Sequence, residues 1–297
     1  MLSKDFIAMD ICTSMEQKRV LAIHDISCVG KCSLTVALPI ISATGIECSV
    51  MPTAVLSTHT GGFVGYTYRD LTADLDPIVK HWETLKIRFN GIYTGFLGSF
   101  EQIDIVSGIF DRIGKHARIF VDPVMADNGE LYKVFPDTFP QGMKKLCAKA
   151  DLIMPNLTEA TLLLGEPYKK GPYTKDYIEG VLKRLSALGP KQVVLTGVYL
   201  NEEDLGAASY DRDTGEINYA FHRIIPGYYH GTGDIFGSVI VGCLMNDVPL
   251  TRATEIAVDF TCRSIMRTWE ARTDVRFGVN FEAGIPKLVQ DIGLKPE

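Results

Sequence analysis

The chain lacks any apolar run long enough to cross a bilayer, and its first residues, with Lys4, Asp5, Asp10 and Glu16, lack the basic-then-apolar order of a secretory signal. Those absences argue against a membrane protein and set the expectation of a cytoplasmic one. No Lys/Arg block stands out and the net charge is −6, so no nucleic-acid surface is expected. Anionic ligands must then be held by local devices such as helix starts or a bound cation. The seven cysteines (Cys12, Cys28, Cys32, Cys48, Cys147, Cys243, Cys262) form an odd, scattered set without a CxxC pair, which reads as reduced thiols. Cys28 and Cys32 have no clustered His or Cys to complete a metal site. The two tryptophans, Trp82 and Trp269, fall in amphipathic segments where packing explains them. Neither an internal repeat nor a Pro/Gly/Ser-rich linker divides the chain, so residues 1–17 read as a tail or arm and 18–297 as one domain.

What is present is an alternation of short apolar runs and helical periods. Val20–Ile23, Glu47–Val55, Gly91–Thr94, Arg118–Val121, Asp151–Met154 and Gln192–Leu195 read as strands. Between them Leu34–Ala43, Glu101–Ile113, Asp137–Ala148, Leu157–Leu164 and Lys175–Leu188 read as helices. This order predicts an α/β fold in three layers, a mostly parallel sheet with helices on both faces. Ala207–Tyr210 and Ile217–Phe221, separated by Asp211-Arg212-Asp213-Thr214-Gly215, predict an antiparallel edge hairpin. Helices at Asp234–Met245 and Thr251–Trp269 close the core. In such sheets ligands sit beyond the carboxyl ends of the strands, where the polar motifs fall.

Of these motifs His230-Gly231-Thr232-Gly233-Asp234 is the most telling, because it sets two glycines and a carboxylate where a loop becomes a buried helix. Free N–H groups and the helix dipole make an anion site there, and an acid beside it suits a general base. A glycine turn with Asp234 as a cap explains the same residues. After the first strand, Gly30-Lys31 does not complete a phosphate-binding loop, since Asp25 stands where its first glycine belongs and Cys32 where its Ser/Thr belongs. Asp25 and Ser27 are better read as facing a ligand, with Ser27 as a helix cap the alternative. Ser57-Thr58-His59-Thr60-Gly61-Gly62 offers hydroxyls and a glycine flap for a polar, planar ligand, or an ordinary surface turn. Asp122 and Asp127 suit magnesium held mainly by phosphates and water, or are solvated turn residues. Asn156 and Glu159 share a helix start, and a reciprocal capping pair would explain them equally. His59, His222 and His230 have no triad-like neighbours.

The ordered set Val121-Asp122-Pro123-Val124-Met125, Pro155-Asn156-Leu157-Thr158-Glu159 and Gly231-Thr232-Gly233-Asp234 resembles the ribokinase-like superfamily from about Arg19 to Trp269. Ser57-Thr58-His59-Thr60-Gly61 and Gly95-Phe96-Leu97-Gly98-Ser99-Phe100-Glu101-Gln102 look most like its pyridoxal (vitamin B6) kinases. The resemblance implies ATP-dependent phosphorylation of the 5′-hydroxymethyl group of pyridoxal, pyridoxamine or pyridoxine by a homodimer. It makes Asp234 the base and the N–H groups of Gly231, Thr232 and Gly233 the anion hole. Asp25, Ser27 and Thr60 would meet the small aromatic substrate, and Asp122, Asn156, Thr196 and Thr232 would lie near ATP. Asp122, Asp127 and Glu159 would organise Mg2+ directly or through water, and a monovalent cation is a further candidate. At the first strand His24-Asp25-Ile26-Ser27 departs from the Gln-Ser-His of pyridoxal kinases toward the opening of hydroxymethylpyrimidine kinases. That second substrate therefore stands as the alternative, and a non-catalytic vitamin- or nucleotide-binding protein as the alternative from another class.

Overall fold

The computed structural model describes residues 17–294, so the 1–17 arm, all but Gln17, lies outside the described residues, as does Cys12. Strand β1 (Arg19–Val29) shows why the chain builds layers. Val20 and Ala22 pack on one side of the sheet while Leu21 and Ile23 pack on the other, all fully buried. A strand covered on both faces needs apolar residues at every position, which is what a parallel sheet under helices requires. The same alternation recurs in β5 (Arg118–Val121), where Phe120 faces away from Ile119 and Val121.

The remaining strands are β2 (Glu47–Thr58), β3 (Tyr68–Asp70), β4 (Gly91–Thr94), the short β6 (Ala126–Asp127) and β7 (Glu130–Leu131), β8 (Leu152–Ile153), β9 (Gln192–Val198), β10 (Asp204–Asp211) and β11 (Ile217–Arg223). Nine described strands form the main sheet in the order β11-β10-β9-β8-β5-β4-β1-β2-β3. Its centre is parallel, and β10 and β11 add the expected antiparallel hairpin. The three-layer, mostly parallel architecture expected from the sequence is therefore observed. A second antiparallel edge, β3 on β2, was not expected. All three of its residues are exposed, so it has no apolar signature.

One face is covered by α2 (Thr72–Thr84), α3 (Phe100–Arg112), α4 (Phe139–Cys147), α5 (Leu157–Leu164) and α6 (Lys175–Ser186). The other is covered by α1 (Leu34–Ala43), α7 (Thr232–Met245), α8 (Leu250–Glu270) and α9 (Ile285–Ile292). From Ile235 to Met245 every residue of α7 is buried, so this helix is enclosed on all sides, packed between α1, α8 and the sheet. Trp82 is packed near Phe89, but Trp269 is 58% exposed, so core packing does not account for it. Among the described residues no helix is long and apolar enough to cross a membrane, and the six cysteines are free thiols.

β1 lies between β2 and β4, so the chain leaves it toward opposite sides and opens a crevice at its carboxyl end. The long β1 reaches that crevice through an irregularity between His24 and Ile26, which lies around Asp25.

Candidate active site

Helix α7 begins without a side-chain cap. Gly231 takes the left-handed conformation at φ 75, and the first helical bond runs from the Ile235 N–H to its carbonyl. The N–H groups of Thr232, Gly233 and Asp234 thus precede the helical ladder, and no described side chain caps them. A Cβ on Gly231 would stand 2.0 Å from the Lys31 carbonyl oxygen, so the close approach of the β1–α1 loop also demands glycine. Gly233 is exposed, with open space above it.

Asp234 occupies the first turn of this helix, partly accessible yet enclosed by protein. Burial is the main reason its carboxyl is pushed up to about 7; the negative charge of Asp25 adds to the rise and the Ser33 backbone N–H opposes it. It does not cap, so the turn-and-cap alternative is not what forms. Asp25 is buried, and its oxygens accept from the hydroxyls of Ser33 at 2.6 Å and Ser27 at 3.4 Å. Burial outweighs those bonds and raises its carboxyl as well. Ser27 lies in β1 and donates to Asp25, so it caps no helix. Beneath them His24 is fully buried, edge-on to Tyr93 and closely packed against Gly95, and desolvation drives its imidazole down to about 3. A neutral ring is the consequence.

On the other side of Asp234, Asp122 follows β5 and is buried. Its carboxyl is raised by desolvation first and then by the charges of Glu159 and Asp234. The Asp-Pro-Val-Met loop is tied down by the opening of α5. Asn156 and Glu159 form the reciprocal capping pair, with the Glu159 N–H on Asn156 Oδ1 and the Asn156 N–H on Glu159 Oε2, each at 2.9 Å. Glu159 Oε1 also accepts from the Met125 N–H at 3.1 Å, and the Asn156 amide donates to the Ala126 carbonyl at 2.9 Å. Burial raises the Glu159 carboxyl to about 8 in spite of these donors. Glu159 is thus a strut between loop and helix. Glu159→Ala is expected to cost about 2–4 kcal/mol, because it orphans buried N–H groups, and a denaturant melt would measure the loss.

Asp127, before a turn through Asn128 (φ 53) and Gly129 (φ 85), accepts from the Asn128 amide and from the Tyr228 hydroxyl at 3.2 Å. Asp122, Asp127 and Glu159 are therefore not gathered as a ready set of metal ligands. Among the described residues no three His, Cys, Asp or Glu side chains are placed to hold an ion. Glu159 is engaged by main-chain donors and Asp127 by Tyr228 and Asn128. Of the three, Asp122 is the carboxylate that no described side chain hydrogen-bonds.

Asn156 and Thr196 come together at the ends of β8 and β9, bridged through the Thr196 N–H on the Pro155 carbonyl at 2.9 Å. Thr60 is exposed on the flap after β2. That flap is no loose surface turn. His59 is buried, its Nδ1 accepts from the Gly61 N–H at 3.0 Å, and its Nε2 therefore carries the proton donated to the Arg276 carbonyl at 2.6 Å. His230, Tyr228, Phe63 and Phe277 continue an aromatic wall around it. No periodicity or motif signals the turn Val275–Phe277 that completes this wall, nor the contacts of Ser33 and Tyr228.

A family model described as phosphomethylpyrimidine kinase matches residues 41–277. A Bacteroides thetaiotaomicron protein put forward as a phosphomethylpyrimidine kinase, crystallised with pyridoxal, shares 37% identity at TM-score 0.86 over 95% of this chain and 98% of its own. The pyridoxal kinase of Lactobacillus plantarum shares 31% identity at TM-score 0.83 over 92% and 97%. The pyridoxal kinase of Arabidopsis thaliana is 27% identical over 60% of this chain, and that match spans 58% of the plant protein's length. The chain belongs to the phosphomethylpyrimidine kinase family, a family of ribokinase-like kinases.

Proposed function

We propose that this chain transfers the terminal phosphoryl group of ATP to the 5′-hydroxymethyl group of a vitamin B6 compound. The observation that carries the reading is Asp234: a partly accessible residue whose carboxyl is held near neutral pKa by burial, in the first turn of a helix whose leading N–H groups are uncapped. Asp234 takes the proton of the attacking hydroxyl, the new bond forms between that oxygen and phosphorus, and the bond to ADP breaks. The amides of Thr232, Gly233 and Asp234 hold the charge that builds on the transferred group. Asp25 and Ser27 hold the substrate from β1, with Thr60 on the flap. Asn156 and Thr196 lie on the side where ATP would extend. Likeness to proteins crystallised with pyridoxal or called pyridoxal kinase supports the B6 substrate. Asp25 and Ser27 in β1 favour hydroxymethylpyrimidine as the second reading.

A magnesium ion fits the donor set. Asp122, Asp234 and Glu159 crowd negative charge together in a buried region, and Mg2+ that travels with nucleotide needs only one or two carboxylates besides phosphates and water. Asp122 would hold it directly, with Asp127 and Glu159 acting through water, and it would neutralise phosphate charge during transfer. A chelator is therefore expected to abolish turnover, with excess Mg2+ restoring it. A homodimer in the cytoplasm completes the proposal.

The test is ATP consumption with pyridoxal, pyridoxamine, pyridoxine, hydroxymethylpyrimidine and ribose. Preference for a B6 compound is the expected result, and a strong preference for hydroxymethylpyrimidine contradicts the substrate. With the Asp234 carboxyl near 7, kcat/KM should fall about tenfold per pH unit below neutrality and level off above it. A profile flat from pH 5 to 8 would remove Asp234 as the base.

A further inference from the structure

Ser33 sits at the N-cap of α1 but does not cap it. Its backbone lies at φ 54, ψ −128, and its side chain makes no bond to the helix that follows. That conformation favours glycine, and serine at an N-cap is ordinarily selected for the bond it makes to the helix. Neither local rule explains this residue. Its buried hydroxyl donates instead to Asp25 Oδ1 at 2.6 Å, while its backbone N–H lies close enough to the Asp234 carboxylate to oppose the rise of that group. The loop is folded back so that Ser33 bridges Ile26, which carries it over the end of β1. Serine in a backbone suited to glycine is a departure that function can explain.

We propose that Ser33 is a positioning residue that holds the substrate-side carboxylate Asp25 and the base Asp234 in one geometry, its hydroxyl on the first and its main chain on the second. The inference rests on the kinase reading and adds a part that reading leaves out. Asp25 is otherwise faced by Ser27 from its own strand, Cys32 from the loop, His59 from the flap, Tyr68 from β3 and Asp234 from α7. Ser27 makes the longer bond, 3.4 Å, to the opposite oxygen. Without the Ser33 hydroxyl, Asp25 keeps its burial but loses the shorter of its two hydroxyl contacts, so it should swing and meet substrate less well.

Two variants separate positioning from structure. Ser33→Gly keeps the N–H toward Asp234 and relieves the backbone, whereas Ser33→Ala keeps the N–H and the strain. Steady-state kinetics on whichever hydroxymethyl heterocycle the wild type phosphorylates, with thermal melts alongside, would compare them. Both variants should raise KM for the heterocycle about tenfold, with kcat changed by less than about threefold and KM for ATP unmoved. The melting temperature of the glycine variant should equal or exceed that of the wild type, while the alanine variant should melt lower. A shared KM defect across opposite stability changes is what a structural role would not produce. Ser33→Gly with KM within about twofold of the wild type, or a defect confined to the less stable variant, overturns the proposal. A wild type that prefers hydroxymethylpyrimidine overturns the B6 reading instead, and the same comparison on that substrate still decides the role of Ser33.

Discussion

Asp234→Asn is expected to lower kcat by about a thousandfold, while the dissociation constants for the heterocycle and for nucleotide change by less than about tenfold. The amide of asparagine fills the same space and leaves the main-chain donors of α7 in place, but it cannot accept the proton of the attacking hydroxyl. Single-turnover kinetics and calorimetric titration would read the two effects separately. The same substitution should stabilise the fold. A carboxyl raised from 3.8 to about 7 is protonated in the folded chain at pH values where the unfolded chain has released that proton. The stability it contributes is therefore full at low pH and is lost as pH rises through that window. At pH 8 the wild type bears the cost of a desolvated charge, so the asparagine variant should gain about 1–3 kcal/mol, visible as a higher melting temperature. A variant both slower and more stable marks a group kept for chemistry rather than for the fold.

Gly231→Ala should produce the other large effect. Its Cβ would meet the Lys31 carbonyl at 2.0 Å, and φ 75 disfavours any side chain, so either the β1–α1 loop or the start of α7 must move. Either movement separates Ser33 from Asp234 and turns the leading amides. A loss of about a hundredfold in kcat and about 2–4 kcal/mol in stability is expected, measured by turnover and by denaturant melts. Gly233→Ala is the control, since its Cβ meets nothing in the free protein. Alanine there should leave the melting temperature unchanged or higher, yet weaken nucleotide binding if phosphate lies against that glycine. Equal effects at both positions would contradict the cradle.

What could be read from the sequence follows from how local each signal is. The double-faced apolar strands, the buried run of α7 from Ile235 to Met245 and the hairpin turn at Asp211–Gly215 are encoded by neighbours in the chain, and each appears where periodicity places it, though β1 runs on from Ile23 to Val29. Asp234 was legible because glycines, carboxylate and apolar helix are contiguous. Ser33 was not, because its meaning lies in a positive φ and in partners on β1 and α7 that no spacing reveals. β3 and the bond that holds His59 are hidden for a similar reason: one is an exposed edge, and the other is made by a main-chain carbonyl at Arg276. The separate engagements of the acidic residues are not legible either, because acidic residues look alike in a sequence. Only packing shows that Glu159 already serves the Asn156 and Met125 N–H groups.

The central claim is that Asp234 takes the proton of the accepting alcohol while main-chain amides hold the migrating phosphoryl group. A crystal structure of the chain with ADP, magnesium, an aluminium fluoride or vanadate mimic of the phosphoryl group and pyridoxal tests it most directly. The account predicts a carboxylate oxygen of Asp234 within about 2.6–3.2 Å of the 5′-oxygen, with the Thr232, Gly233 and Asp234 N–H groups on the mimic. An Asp234 side chain more than about 5 Å from that oxygen, with another base in its place, would contradict it.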